Sequence, residues 1–222
     1  MAEAAARAPA HPTWILALRQ TAGRARRGQV WIDPGGNFAA TLALPLAAPA
    51  PQAALYSFVA ALALHDALAE LTGLGPELQL KWPNDVLLNG GKLSGILLET
   101  GEKGALAIGI GVNLRAPPPA DPEAAFPPIA LRPETGHDIT PDTLLDHLGP
   151  AMAAWEDRLR NFGFAPLREA FLSRAARLGQ IITARTGRDS VTGRFDDIDA
   201  TGSLVLETEA GRRIITAAEI HF

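Results

Sequence analysis

The dipeptide Asn89-Gly90 constrains this chain more than any other short stretch. It separates two apolar runs of strand length, Val86-Leu87-Leu88 and Ile96-Leu97-Leu98. Asn-Gly is the favoured pair for the two-residue turn of an antiparallel hairpin, because both turn positions need positive φ. The flanks of this predicted hairpin carry groups that a purely structural ribbon does not need. Lys81 and Trp82 precede Pro83, which biases Trp82 towards extended backbone, and Asn84 and Asp85 follow at once. Lys92 lies just past the turn. Paired strands would bring Asp85 and Lys92 from neighbouring positions towards one pocket, where Gly91 and Gly95 would let a ligand approach the backbone. Taken alone, the pattern fits an ordinary surface ion pair as well as it fits a site.

The 222 residues suffice for one large domain, or for a medium domain and a small one, with most of the apolar surface buried. A net charge of −4 gives no global attraction to nucleic acid or acidic lipid. The chain has no cysteine, which excludes disulfides, thiolate catalysis and cysteine-held metal and fits a reducing compartment. From Pro34 to Leu64 there is no charged residue. Pro45, Pro49 and Pro51 divide that stretch into a strand-length and a helix-length piece, so it is read as buried core and not as a membrane span.

In chain order, Trp14–Leu18 reads as a buried strand. It leads into a segment holding Arg19, Arg24, Arg26 and Arg27 with Gly23 and Gly28, a cationic loop that by itself fits a solvated basic patch or an RNA contact. Ala39–Leu44 is a strand. Gln52–Leu71 is a helix with a broad apolar stripe, ended by Gly73; His65 and Asp66 on it are read as structural. Leu78–Lys81 is a strand entering the hairpin, and Ala105–Val112 is a further buried strand. Gly109, Gly111 and Leu114 miss the dinucleotide-binding glycine pattern, and Gly91-Lys92-Leu93 misses the P-loop, so any nucleotide must bind on another scaffold. The proline-rich stretch from Pro117 to Pro128 reads as irregular and peripheral. Helices are expected from Thr140-Pro141 to Arg160 and from Pro166 to about Leu178. After Gly179 come short strands at close intervals, the pattern of a small β-barrel.

Lys81-Trp82-Pro83-Asn84-Asp85, followed by Gly91-Lys92-Leu93-Ser94-Gly95-Ile96-Leu97, resembles the signature of the biotin–protein ligases (biotin–[acetyl-CoA-carboxylase] ligases). The arginine-rich segment is similar to that family's biotin- and adenylate-binding loop, with Ala25 at a usual glycine. Gly109-Ile110-Gly111-Val112-Asn113 and the run from Gly193 to Gly202 also match, so the resemblance covers essentially the whole chain in the right order.

The resemblance implies an α+β fold: a mixed sheet with helices of the class II aminoacyl-tRNA-synthetase-like type over 1–178, and an SH3-like barrel over 179–222. It implies a short form without a DNA-binding extension. It implies a two-step reaction in which biotin and ATP give biotinyl-5′-adenylate and pyrophosphate, with Mg²⁺ neutralising the leaving group. A lysine of a biotin carboxyl carrier protein then displaces AMP. By position, Gln20, Gly23, Arg24, Ala25, Arg26, Lys92 and Gly95 would bind biotin; Arg26, Trp82, Asn84, Lys92 and Asn113 would bind ATP. Arg26, Lys92 and Asp85 would be catalytic, the first two as cations at the phosphates and Asp85 orienting or deprotonating the acceptor amine. An apolar wall at Trp82 and Leu97 would hold the biotin ring. The implied setting is cytoplasmic, with no nucleic acid or membrane partner, and a homodimer is left open. Two alternatives stand beside this reading: a lipoate–protein ligase-like enzyme and a non-catalytic biotin or adenylate sensor. The family's Ser-Thr-Asn segment, which contacts the biotin ureido ring, has no counterpart before Thr13, so a truncated N-terminus is expected.

Overall fold

The structure is a computed structural model that describes residues 9–24, 31–45, 50–101, 105–120, 125–186 and 189–222. Six strands form the main sheet: β1 (Thr13–Leu16), β2 (Phe38–Pro45), β3 (Leu78–Lys81), β4 (Asp85–Leu88), β5 (Gly91–Thr100) and β6 (Ala105–Val112), in the order β1-β2-β6-β5-β4-β3. All pairings between these strands are antiparallel, so the expected mixed sheet is corrected to an antiparallel one; parallel contact is confined to isolated bridges at Leu80–Ala175 and Lys92–Pro128.

The uncharged stretch does supply the core. Helix α1 (Ala50–Thr72) is long and apolar enough to cross a membrane by length and composition, but Phe58 to Leu64 are at most 2% exposed inside the fold. A helix apolar on most sides is one that the fold encloses. It ends where predicted, at Gly73 with φ 72°, whose N–H donates to the Ala69 carbonyl. After the short α2 (Leu131–Thr135) comes α3 (Pro141–Phe162), capped by the Thr140 hydroxyl accepting from the Thr143 N–H. Leu144, Leu148, Met152 and Trp155 form its buried stripe. Helix α4 (Ala165–Leu172) closes the layer, with Phe164 and Phe171 edge-on to Phe58. These helices cover the sheet face that carries Ile96, Ile108, Ile110, Leu42 and Leu44.

Two expected elements are shorter than the sequence suggests. The helix predicted to reach Leu178 stops at Leu172, because the following chain completes the edge strand: Leu80 donates to the Arg174 carbonyl and accepts from Ala176. Pairing an otherwise open edge outweighs another helical turn. The strand predicted to reach Leu18 stops at Leu16, and Leu18 is exposed.

The C-terminal strands β7 (Ile181–Arg185), β8 (Ser190–Ile198), β9 (Leu204–Thr208), β10 (Gly211–Ile215) and β11 (Glu219–His221) form one antiparallel sheet in the order β10-β9-β8-β7-β11. The small β-domain is present. No pairing of β10 with β11 closes it into the expected barrel among the described residues. It docks on the helices through Arg168, which pairs with Asp197 and donates to the Ile198 carbonyl, and through the turn at Gly202. Gly202 has φ +86°, and a Cβ there would lie 2.9 Å from the Phe58 ring. Gly202→Ala should therefore cost about 1–3 kcal/mol from backbone strain and overpacking. Urea denaturation measures it, and an unchanged midpoint would mean that this turn is not seated as described.

Candidate functional site

The hairpin forms as predicted, with Asn89 and Gly90 both at positive φ (49° and 79°) and Leu88 opposite Gly91. One departure decides where the charges point. Asp85 pairs with Gly95 and Val86 with Ser94, but Leu87 pairs with Lys92, so Leu93 is an extra residue, a bulge. Without it, that first register would set Lys92 opposite Leu88, on the helix-covered face. The one-residue slip turns Lys92 to the face of Asp85 and Leu87. The sequence requires this slip because Leu93, like Val86 and Leu88, belongs to the core.

On that face Asp85 is held by two ammonium groups. Lys81 Nζ lies 2.7 Å from Oδ2 and Lys92 Nζ lies 3.1 Å from Oδ1. Burial alone would raise the Asp85 pKa; the charges and hydrogen bonds of Lys81 and Lys92 outweigh it and hold the carboxyl well below the usual carboxylate range. Lys81 is buried with Asp85, whereas the Lys92 side chain is 35% exposed, so Lys92 is the member that a ligand can reach. A carboxylate so stabilised is a weak base. Of the two roles the sequence leaves to Asp85, orienting a neighbour suits this arrangement and taking a proton does not.

Beside the charges the face is a floor of small residues. Asp85, Gly95, Gly111 and Ala39 lie in one cross-strand row, and Leu97, Gly109 and Thr41 in the next row on that side. The indole of Trp31 lies across the glycines: a Cβ on Gly95 would come within 3.2 Å of the ring, and one on Gly111 within 2.7 Å. Gly23 meets the same segment, since its carbonyl accepts from the Trp31 N–H and a Cβ there would strike the Trp31 carbonyl at 2.2 Å. Gln20 adjoins Gly23, and its Oε1 is buried with no partner among the described residues. Arg24 reaches Glu99 of β5 at 2.8 Å. Gln20, Gly23, Arg24, Lys92 and Gly95 are thus brought to one side of the sheet. Ala25 and Arg26 lie outside the described residues.

The nucleotide candidates are more scattered. Asn84 is buried and its amide donates to the Ile96 carbonyl, tying the β3–β4 turn to β5. Asn113 donates from Nδ2 to the Ile129 carbonyl at 2.9 Å, while its buried Oδ1 finds no partner among the described residues. Trp82 does not form a wall with Leu97. Its indole is 3% exposed in the helix-side core and donates to the Gly202 carbonyl of the C-terminal domain at 2.9 Å. Its position after β3 directs the ring away from the glycine floor.

Sequence reasoning overlooked two contributors. The motif alone points to no role for Lys81, although its four-residue spacing from Asp85 is visible there. The proline-rich stretch is not peripheral at its end: Pro127 accepts from the Lys92 N–H, Ile129 donates to the Lys92 carbonyl, and Phe126 lies under Lys81. No local pattern announces this, since prolines hide the strand-like pairing. His65 and Asp66 do touch, at 3.4 Å, and Asp66 also accepts from Trp155 and pairs with Arg174. That network joins α1 and α3 to the segment after α4.

Mg²⁺ finds little here to hold it. Among the described residues no group of three or more His, Asp or Glu is placed to cage a metal, and both Asp85 oxygens already face lysines. Among the described residues there is no cage that would hold a metal through the protein alone.

Comparison with known proteins agrees with this geometry. Residues 4–114 match the biotin/lipoate A/B protein ligase family, and residues 178–222 match the biotin protein ligase C-terminal domain. The chain is 52% identical over 215 residues to a biotin–[acetyl-CoA-carboxylase] ligase of Paracoccus denitrificans, covering 94% of this chain and 90% of the relative. It is 32% identical over 217 residues to the bifunctional ligase/repressor BirA of Bacillus subtilis, covering 94% of this chain and 65% of the longer protein. The biotin protein ligase of Aquifex aeolicus, solved in complex with biotin and ATP, superposes with a TM-score of 0.82 at 25% identity, covering 96% of this chain and 89% of that one. Sequence, fold and the placement of the motif on an open sheet face agree: this chain belongs to the biotin/lipoate A/B protein ligase family.

Proposed function

We propose that this chain is an ATP-dependent biotin–protein ligase, acting in the cytoplasm on the biotin carboxyl carrier protein of a carboxylase. The observation that carries the reading is the half-exposed Lys92 ammonium, fixed by Asp85 at the rim of the Gly95–Gly111 floor. Such a place suits a ligand with a flat apolar body and an anionic end. In the first step a biotin carboxylate oxygen attacks the α-phosphorus of ATP, the bond to the bridging α–β oxygen breaks, and pyrophosphate leaves. An anion attacks a polyanion, so the chief need is cationic charge at the phosphoryl oxygens, supplied by Lys92 and Arg26. Buried acceptors at Gln20 Oε1 and Asn113 Oδ1 would meet donors on the substrates, in keeping with biotin at the first and the nucleotide at the second. In the second step the acceptor lysine gives up its ammonium proton to solvent and attacks the acyl carbon of the mixed anhydride as the free amine. The C–N bond forms, the acyl C–O bond to the phosphate breaks, AMP departs, and the excess proton on the new amide nitrogen passes to solvent. Asp85 serves both steps by holding Lys92 in place. Any Mg²⁺ arrives with the nucleotide phosphates, and no step here depends on a protein ligand to it. We divide the chain into a catalytic unit over 1–178 and a C-terminal unit over 179–222.

The test is exchange of labelled pyrophosphate into ATP with biotin, with lipoate and with neither. Exchange with biotin alone is expected. Exchange with lipoate alone assigns the chain to the lipoate branch, and no exchange despite biotin binding makes it a sensor.

A further inference from the structure

The segment 126–129 touches both lysines that hold Asp85. Its backbone brackets Lys92: the Lys92 N–H donates to the Pro127 carbonyl at 2.9 Å, and the Ile129 N–H donates to the Lys92 carbonyl at 3.1 Å. The Ile129 side chain also covers Gly91, where a Cβ would lie 2.5 Å from it. One residue earlier, the Phe126 ring lies 4.6 Å from Lys81 Nζ, with the ammonium over its face. Phe126 is 6% exposed and packs with Leu87 and Ala176. Its plane is set from outside by Phe222, edge-on with centroids 4.5 Å apart, and Phe222 in turn carries Arg177 over its own face at 5.1 Å.

We propose that Phe126 is a positioning residue for the ligase reaction, its ring face holding the Lys81 ammonium against Asp85 so that the other carboxylate oxygen is aimed at Lys92. The inference rests on the ligase reading above. A buried ammonium with a single carboxylate oxygen at 2.7 Å still has N–H bonds to satisfy. An aromatic face meets that need without adding a second anion that would compete for Lys92. A leucine keeps an apolar side chain in most of the space but offers no negative face.

Phe126→Leu and Phe126→Tyr separate the two roles. In biotin-dependent pyrophosphate exchange, Phe126→Leu should lower kcat about tenfold, the scale of losing a desolvated cation–π contact, with KM for biotin and ATP near wild type. Phe126→Tyr restores the ring face and should recover most of that loss. Equal rates in all three proteins, or equal losses in both variants that follow their thermal stability, would overturn the proposal. Absence of exchange in the wild-type chain would count against the ligase reading itself. In that event the ordering of the Lys81 ammonium, read near neutral pH from the proton exchange of its Nζ group by NMR in the same three proteins, decides the point. Exchange that speeds up in Phe126→Leu and not in Phe126→Tyr sustains the positioning of Lys81, and three equal rates refute it.

Discussion

Lys92→Ala slows adenylate formation by about 10²–10³-fold, the loss that follows removal of one donor to charge developing in the transition state. The structure sets the terms of that expectation. Lys92 sits at the bulge, its ammonium is 3.1 Å from Asp85, and it alone of the two lysines is open enough to meet a phosphate. Folding should survive the substitution, because Asp85 keeps Lys81 as a partner at 2.7 Å and the bulge is built by Leu93. Lys92→Arg provides the complementary variant. It keeps the charge, but its planar fork cannot reproduce a compact ammonium at the same point, so it should restore only part of the rate. Biotin-dependent pyrophosphate exchange and single-turnover formation of the adenylate measure both. A Lys92→Ala protein that exchanges pyrophosphate at a near-normal rate would remove Lys92 from the chemistry.

How much of this was legible in the chain follows from the range of the interactions concerned. The hairpin was readable because Asn89-Gly90 fixes its turn by local backbone preference, and α1 because a long uncharged stretch has no place but a core. The motif spanning Lys81 to Lys92 could be matched residue by residue to a family. The bulge at Leu93 was not readable, since it settles a conflict between turn register and side-chain face that exists only once the face is known. The packing of the Trp82 indole was not readable for a related reason. An indole beside a charged motif looks like a ligand wall, but its N–H found the Gly202 carbonyl more than a hundred residues away. The stop of α4 at Leu172 depends on the hydrogen-bonding needs of β3, a strand remote in sequence. Phe126 was invisible for the same reason: its role comes from a contact with Lys81, across a stretch whose prolines suppress every periodic signal. Local chemistry was legible, and the long-range contacts that aim it were not.

Asp85→Ala should be the most destabilising of the site substitutions, by about 3–5 kcal/mol, because it strands the buried Lys81 ammonium without its counter-charge. Asp85→Asn should cost less, since the amide oxygen can still accept from one lysine. The pH dependence identifies the cause. With its pKa lowered in the folded protein, Asp85 contributes stability that is fully present above its unfolded pKa of about 3.9 and is lost as pH falls through the folded value. The stability gap between wild type and Asp85→Asn should therefore be flat from neutrality down to about pH 5 and shrink below about pH 4. Urea denaturation across that range measures it, and a gap that instead widens on acidification would mean that the carboxyl is not ionised in the fold. Catalysis gives the second arm. If Asp85 works by fixing Lys92, Asp85→Asn reduces adenylate formation and transfer to the carrier by similar factors. The transfer step then keeps the wild-type shape of its pH–rate profile, because no proton was being accepted there. A loss confined to transfer, with the acid-side limb of that profile abolished, would return Asp85 to the role of base for the acceptor lysine.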